Sequence, residues 1–593
     1  MQTTKPRTAS LTTFTVPLAA LALGVSAFGQ EQLGVLTAGA SDQFGWSVTN
    51  GGDIDGDGFD DLVVGSPTSN PLGGFASAGG ITVLSGSTLD SSVPTVTLSS
   101  VIGPGPRCGA FSQFGSAFGF ATAGGADVNL DGVPDYAVGA PSNSTAFVYD
   151  GATGAPMFTP PDNLNRGCGL RHGRTLTFLE VNGDGQADLL VAGISNSTTN
   201  NLGRFRVYNG AWLANPASGA PQVIYQGVGT TQFDSYGSLC SNLGDLDGDG
   251  LDEFSISAPA GAPGANPGTV EVRSGATGAI LTTIVGSGAD DSFGFAVAAM
   301  GDMNVDGVPD IAVGAPGWSA TAGGPRNGLV EFISGAWILG ASPDRTIGTA
   351  FGTASDLAFG GTLAAVDANG DPVPDVVTSR TLNGVQSWSL ISGRTLNVAW
   401  TVASTSAAGL PLSVVALETP GETRLALGDP GAGGSVQVVR AHDGQSIGGF
   451  ASDANCPCGP DRQGGCINQS GMGALLGVET GSASLGAGTL SLLTTGMPNF
   501  SFCYLIAGNP NPAPIVFSNG QLAVSGGQRS SVIQQSNNQG SVVTAANPLG
   551  TFPAGTVVIG QSLALQMLYR DLGCAASSGA FNLSNSIVVV PRL

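Results

Sequence analysis

Basic side chains are scarce. The chain sets 19 Lys and Arg against 42 Asp and Glu in 593 residues, and it contains no basic run. A nucleic-acid binder needs a patch or stripe of cations, so that class is excluded. Histidine is scarcer still, with only His172 and His442, and there is no HExxH, no GxSxG and no phosphate-cradling Gly-Lys-Ser/Thr loop. The common signatures of zinc protease, serine hydrolase and nucleotide hydrolase chemistry are therefore missing. His172 stands where an aromatic residue would pack, and His442 sits in a His-Asp-Gly turn. Only 10% of residues are charged, while 94 Gly and 35 Pro interrupt the chain. That composition gives a globular, turn-rich protein without long helices, with length enough for several domains.

Long apolar runs are absent beyond the N-terminus. Lys5 and Arg7 precede the apolar stretch Val16 to Val25, and Val25-Ser26-Ala27 fits a small-residue cleavage site, so residues 1–27 are expected to be a secretory signal. An uncleaved membrane anchor is the competing reading, but the stretch is shorter than the ~20 residues a spanning helix needs. After signal removal no transmembrane helix is expected, and the protein should be secreted or at the cell surface. Cysteine falls into two odd-numbered groups: Cys108, Cys168 and Cys240, then Cys456, Cys458, Cys466, Cys503 and Cys574. For an exported chain disulfides are expected, with one free thiol per group or a bridge between groups. Cys456-x-Cys458 lacks the second pair or nearby histidine that a zinc site would use.

What the chain does hold is a nine-residue acidic loop in six copies. Its oxygen-bearing positions one, three, five and nine are Asp53, Asp55, Asp57 and Asp61; Asp127, Asn129, Asp131 and Asp135; Glu180, Asn182, Asp184 and Asp188; Asp245, Asp247, Asp249 and Glu253; Asp302, Asn304, Asp306 and Asp310; Asp367, Asn369, Asp371 and Asp375. Twenty of the 42 acidic residues occupy these positions, so the acidity is local. Several oxygens on a preset turn, usually with Gly at position six, are what a hard cation such as Ca2+ requires. An EF-hand or dockerin would need an acid at position twelve and flanking helices. Position twelve is instead Val64, Val138, Val191, Ile256, Val313 or Thr378, within strand-like sequence. Plain Asp-Gly turns are the other alternative, and six copies at fixed spacing oppose it. The loops at Asp53, Asp127, Asp245 and Asp302 keep every element; Glu180 lengthens the first side chain of its loop, and Pro372 replaces the glycine of the last.

Ahead of each loop stands an aromatic-Gly pair or its variant: Phe44-Gly45, Phe118-Gly119, His172-Gly173, Tyr236-Gly237, Phe293-Gly294 and Phe359-Gly360. Behind four of them come Gly65-Ser66-Pro67, Gly139-Ala140-Pro141, Ser257-Ala258-Pro259 and Gly314-Ala315-Pro316, and alternating strands such as those starting at Ile81, Phe147, Val270 and Val330 follow. Units of about four short strands at this spacing read as propeller blades. The combined motif resembles FG-GAP repeats, similar to the N-terminal β-propeller of integrin α chains and to many exported bacterial proteins. A seventh, worn unit has Gly428-Asp429-Pro430 in the GAP place and no acidic loop. The resemblance implies an all-β, seven-bladed propeller over residues 28–450, closed by either the N-terminal LGVLTA or the later QSIGGF segment. Residues 451–593 resemble C-terminal modules of large exported proteins from planctomycete-type bacteria and are expected to form a small β-sandwich-like domain.

Antiparallel order within a blade separates the acidic loops from the segments after GAP. On the GAP side the long loops carrying Phe75, Trp318 and Arg326 are the expected ligand contacts. The resemblance thus implies a calcium-binding, non-enzymatic protein that holds an extracellular protein or glycan. The alternatives are a secreted propeller enzyme, a polysaccharide lyase or glycosidase, and a purely structural envelope component.

Overall fold

The computed structural model describes residues 32–440 except 38–41, 70–77, 90–95, 104–115, 159–170, 195–201, 216–221, 232–233, 260–266, 289, 305, 321–323, 354–355, 369–372, 394–395, 397, 405–411, 420–421 and 432–433, and beyond 440 it describes only the backbone of separate strands. The signal segment, Phe75 and the side chains of the C-terminal module lie outside the described residues. In the C-terminal module, Phe502–Phe517 pairs with Gly520–Arg529 and with Leu563–Arg570, which pairs in turn with Phe581–Val589.

Residues 32–440 form a seven-bladed β-propeller. The first blade sets the pattern, with strands Ser47–Gly52, Asp61–Ser66, Gly80–Leu84 and Thr97–Ile102 in antiparallel sequence order. Blades two to six follow at 121–158, 175–228, 239–285, 296–351 and 356–403. The seventh joins Ser413–Thr419, Glu422–Asp429 and Ser435–Arg440 to the N-terminal strand Gln32–Thr37. The LGVLTA end therefore closes the ring, pairing Gln32 with Val439 and Thr37 with Ser435.

Second strands explain why the repeat is so apolar after each loop. All six residues of Asp61–Ser66, Asp135–Ala140, Asp188–Gly193, Glu253–Ala258 and Asp310–Ala315 are buried. A strand flanked by blades on both faces has no solvent side, so after its acidic first residue it reads as a continuous run of apolar and small residues rather than an alternation of apolar with charged ones. Seven apolar clusters fill the seven gaps between neighbouring blades. The aromatic of each FG pair plugs the gap ahead of its own blade. Phe118, for example, packs with Val63 and Ile81 of the first blade and with Tyr136 and Val138 of the second.

The FG glycine and the GAP glycine meet across that same gap. Within a blade, Gly119 N–H donates to Gly139 O at 3.1 Å, and Gly294 N–H to Gly314 O at 3.1 Å. Between blades, a Cβ on Gly65 would overlap the carbonyl oxygen of Gly119, one on Gly139 that of Gly173, and one on Gly314 that of Gly360. Bare backbone is thus required where the second strands of blades one, two and five touch the next blade's entry turn. The turn itself is bent by a left-handed residue just before the aromatic, such as Ala117 at φ 52° and Ala358 at φ 55°. Blades three, four and six depart from the rule, with buried Ala192, Ser257 and Ser379 in the glycine's place.

Two local features stand apart from the repeat. Cys240, on the fourth blade's first strand, is a reduced, buried thiol in the core between blades three and four, beside Thr175 Oγ1 at 3.5 Å, and it forms no disulfide. The sixth blade has no GAP loop at all: Asp375–Leu382 runs straight into Val385–Ile391 through Asn383-Gly384, and Asp356–Leu357 adds a further pairing at that end. Ser379 and Arg380 stand where blades two and five hold Gly and Ala, and buried Arg380 is paired with buried Asp356 at 3.3 Å.

The close approach makes a direct prediction. Gly314→Ala should destabilise the propeller by roughly 1–3 kcal/mol through overpacking, read as a lower melting temperature. Ser257→Gly, at the blade that already accommodates a side chain, should change it little. Equal destabilisation by both would mean the contact with Gly360 is not what fixes the glycine.

Candidate metal loops and the opposite face

Each acidic loop joins the first and second strands of its blade, so blades one to six present their loops on one face of the disc. The loop is built from carboxylates that cap its own backbone. In the first copy the Asp53 carboxylate accepts from Asp57 N–H at 2.9 Å and Gly58 N–H at 2.8 Å, Asp55 accepts from Asp57 N–H at 3.2 Å, and Asp57 accepts from Phe59 N–H at 3.0 Å. The same set recurs for Asp127, Asn129 and Asp131, for Asp245, Asp247 and Asp249, and for Asp302, Asn304 and Asp306. Glu180 keeps this arrangement despite its extra methylene: its two oxygens accept from Asn182, Gly183 and Gly185, while Asn182 and Asp184 cap as in the other copies. The sixth-position glycines Gly58, Gly132, Gly185, Gly250 and Gly307 have φ between 78° and 89°, which is the turn the sequence required there.

Position nine has a different role. Asp61 is buried, and its carboxylate accepts from Ile54 N–H within the loop and from Gly86 N–H just past the third strand, both at 2.8 Å. Asp135 does so with Val128 and Gly151, Asp188 with Val181 and Gly210, Glu253 with Leu246 and Gly275, Asp310 with Met303 and Gly335, and Asp375 with Ala368 and Gly393. One carboxylate thus pins the loop to the far side of its own blade. Burial pushes Asp61 and Asp135 up to about 6 and Asp188 to about 7, and raises Glu253 and Asp310 as well, against the lowering effect of the backbone N–H groups. A cation seated in the loop would favour their ionised form.

Oxygens converge well enough to hold one. Asp53, Asp55 and Asp57 each offer an oxygen within 4.8 Å of the others, and so do Asp245, Asp247 and Glu253. That span is about twice a calcium–oxygen distance of ~2.4 Å, so these two loops fit a hard cation. The second, third, fifth and sixth copies substitute a neutral Asn at position three, which keeps an oxygen and removes a charge. In the sixth copy Asp367 is exposed and Asp375 buried, while Asn369 and Asp371 lie outside the described residues.

The other face carries the FG turns and the loops after GAP. Trp318 and Arg326 both belong to it, but they differ in exposure. Trp318 is half-buried, its ring 5.0 Å from Phe351 and packed on the core between blades four and five. Arg326 is exposed and reaches Asp290 at 3.9 Å.

A family model described as FG-GAP repeat matches residues 44–84 and 293–330. The chain carries FG-GAP repeats. Human integrin alpha-IIb is 32% identical over 162 residues, which is 25% of this chain and 15% of that protein. Integrin alpha-5 of Xenopus laevis is 27% identical over 231 residues, 36% of this chain and 21% of that protein. Bovine phosphatidylinositol-glycan-specific phospholipase D is 34% identical over 164 residues, 25% of this chain and 18% of that protein. The chain therefore covers no more than about a fifth of the length of these relatives.

The FG-GAP loops contain one working position that the one-three-five-nine spacing misses. At position eight, Asp60 accepts from Glu418 N–H of the seventh blade and from Asn50, and Asp252 accepts from Glu180 N–H of the third blade and from Asn242. Pro134 and Pro374 occupy the same place in other copies and rest against Gly52 and Gly301 of the preceding blade. Position eight stitches neighbouring loops together. Its alternation between Asp and Pro hid it, because the two residues make the contact by different means.

Positions one and nine should separate in an experiment. Asp310→Ala strands two buried N–H groups and should cost roughly 2–4 kcal/mol with or without calcium. Asp302→Ala, losing exposed caps only, should cost about 1 kcal/mol or less in chelator and appreciably more in calcium. Thermal unfolding of both variants in the two buffers checks this; a calcium-dependent loss confined to Asp310→Ala would reverse the assignment.

Proposed function

We propose that this is an exported, calcium-binding FG-GAP propeller that holds an extracellular protein or glycan on its FG and GAP face and carries out no chemistry itself. The observation that supports it best is the division of the disc: oxygen-lined loops crowd one face, and the long, variable loops occupy the other. Residues 1–27 would be the secretory signal and residues 451–593 a separate β module, possession of which suits attachment at the cell surface. Calcium is the structural cofactor, held by positions one, three, five and nine. At about 1 mM calcium and a dissociation constant near ~0.1 mM each filled site adds roughly 1.4 kcal/mol by mass action, and it relieves repulsion among carboxylates that the fold crowds together.

The integrin relatives favour binding over catalysis. The phospholipase D relative favours a second reading, in which the same repeats accompany an enzyme, and an activity on polysaccharide is the form that reading takes here. Incubation with plant and bacterial polysaccharides, followed by assay for new reducing ends or unsaturated products, should give none; a product formed by purified protein would put the enzyme reading first.

Calorimetric titration of chelator-stripped protein should record several calcium ions with dissociation constants of about 10⁻⁴–10⁻³ M, filling the loops at Asp53, Asp127, Asp245 and Asp302 most firmly. No heat at millimolar calcium would remove the metal from the proposal. Arg326→Ala should weaken capture of a partner without lowering the melting temperature, whereas Trp318→Ala should lower both, because Trp318 is also packed on Phe351.

A further inference from the structure

Arginine, rare in the chain as a whole, is concentrated at one end of the third blade. Arg171 and Arg174 flank His172-Gly173 in the entry turn, and Arg204 and Arg206 lie on the third strand, Arg204–Tyr208. The backbone draws these two pairs together. Gly173 and Arg174 N–H both donate to Ala192 O at 3.2 Å, and Ala192 pairs in the sheet with Phe205, between the two strand arginines. Phe205 and Val207 pack toward the fourth blade, so strand alternation turns Arg204, Arg206 and Tyr208 toward the second. Tyr208 joins the core on that side, and its ring lies 6.5 Å from that of His172.

No other blade is basic there. The strand positions matching Arg204 and Arg206 hold Gly80 and Thr82 in the first blade, Thr269 and Glu271 in the fourth, and uncharged or acidic residues in the rest. The residues matching Arg171 and Arg174 around the FG pair are likewise never basic. Among the described residues no carboxylate forms an ion pair with Arg174, Arg204 or Arg206. Both ring nitrogens of His172 and Nε of Arg204 are enclosed and lack a hydrogen-bond partner. Burial, with Arg206 and Arg204 beside it, pushes His172 down to about 3, so the imidazole is neutral and holds an N–H that it gives to nothing. Burial and the neighbouring Arg206 also hold Arg204 below the ordinary guanidinium range. An anion is the partner that would relieve every one of these features.

Aromatic surface adjoins the cations and narrows the class of ligand. The Arg174 guanidinium lies 5.3 Å from the centroid of Phe120, whose ring is 5.2 Å from that of Trp46, and all three side chains are half-exposed. A planar guanidinium fork matches a carboxylate or sulfate, and a flat ring beside it accepts the C–H face of a sugar. We propose that this end of the third blade is a binding site for an acidic saccharide, its carboxylate or sulfate held by Arg171, Arg174, Arg204 and Arg206 and its ring seated on Phe120 and Trp46. The proposal rests on the FG and GAP face being the ligand face, and it adds the site and the ligand class.

The test titrates full-length protein, in millimolar calcium, with sulfated dextran oligomers and with oligogalacturonate, using neutral dextran and polyglutamate as controls. Either charged saccharide should bind, neutral dextran should not, and added salt should weaken the binding. The double variant Arg204→Gln/Arg206→Gln should lose about tenfold or more, as expected for charge-assisted contacts. Arg171→Gln/Arg174→Gln, nearer the rim, should show the same loss and guards against a folding defect in the first pair, with melting temperatures confirming the fold. No uptake of either charged saccharide, arginine variants that bind like the parent, or polyglutamate bound as tightly as the sugars would each overturn the site. If Arg326→Ala alone abolishes binding, the ligand face stands and this site falls.

Discussion

The contact on which this propeller depends is the one between the bare second-strand glycine of one blade and the entry-turn carbonyl of the next. It fixes how near two blades come, and everything else in the repeat is arranged around that distance. The FG aromatic fills the wedge beside it, the second strand loses both faces to solvent exclusion, and the entry turn adopts left-handed backbone at residues such as Ala117 and Ala358 to bring its carbonyl into place. Because the blades pack side by side around a ring, a single strand must close it, and Gln32–Thr37 supplies the edge that Ser435–Arg440 would otherwise leave open.

A second constraint couples the metal loops to that core. The position-nine carboxylate is at once a candidate calcium ligand and the acceptor for backbone N–H groups from its loop and from beyond the third strand. It is buried where an uncompensated charge is costly, so a cation bound in the loop would act on the blade's stability through the same side chain. Position eight extends the coupling sideways, since Asp60 and Asp252 tie a loop to the preceding blade. The opposite face is free of these duties. Its loops differ in length and composition from blade to blade, which is where a recognition surface can vary without disturbing the ring.

The fold was largely legible because its requirements are local and repeated. Alternation, Gly-bounded turns and the 1-3-5-9 oxygens each depend on residues a few positions apart, and six copies turn weak signals into a strong one. The sixth blade shows where this fails: Thr378-Ser379-Arg380 gives no hint that the long loop is gone, because the Asp356–Arg380 pair replacing it joins residues 24 apart. Trp318 read as an exposed contact since nothing near it in sequence reveals Phe351, which covers part of it from the next hairpin of the blade. The sequence left open which cysteines are unpaired, and only the packing of blades three and four places Cys240 alone against Thr175.

By itself, then, the sequence determined the blade as a unit, the number of blades and the ring of oxygen-bearing loops, because each is encoded within one repeat by turn geometry and strand period. Tertiary structure alone decided which terminal strand closes the ring, why the GAP glycine admits no side chain, that position nine braces the blade and position eight the neighbour, and that four arginines separated by up to 35 residues share one end of the third blade. Those facts concern distances between segments, and a distance between segments becomes defined only when the blades are packed.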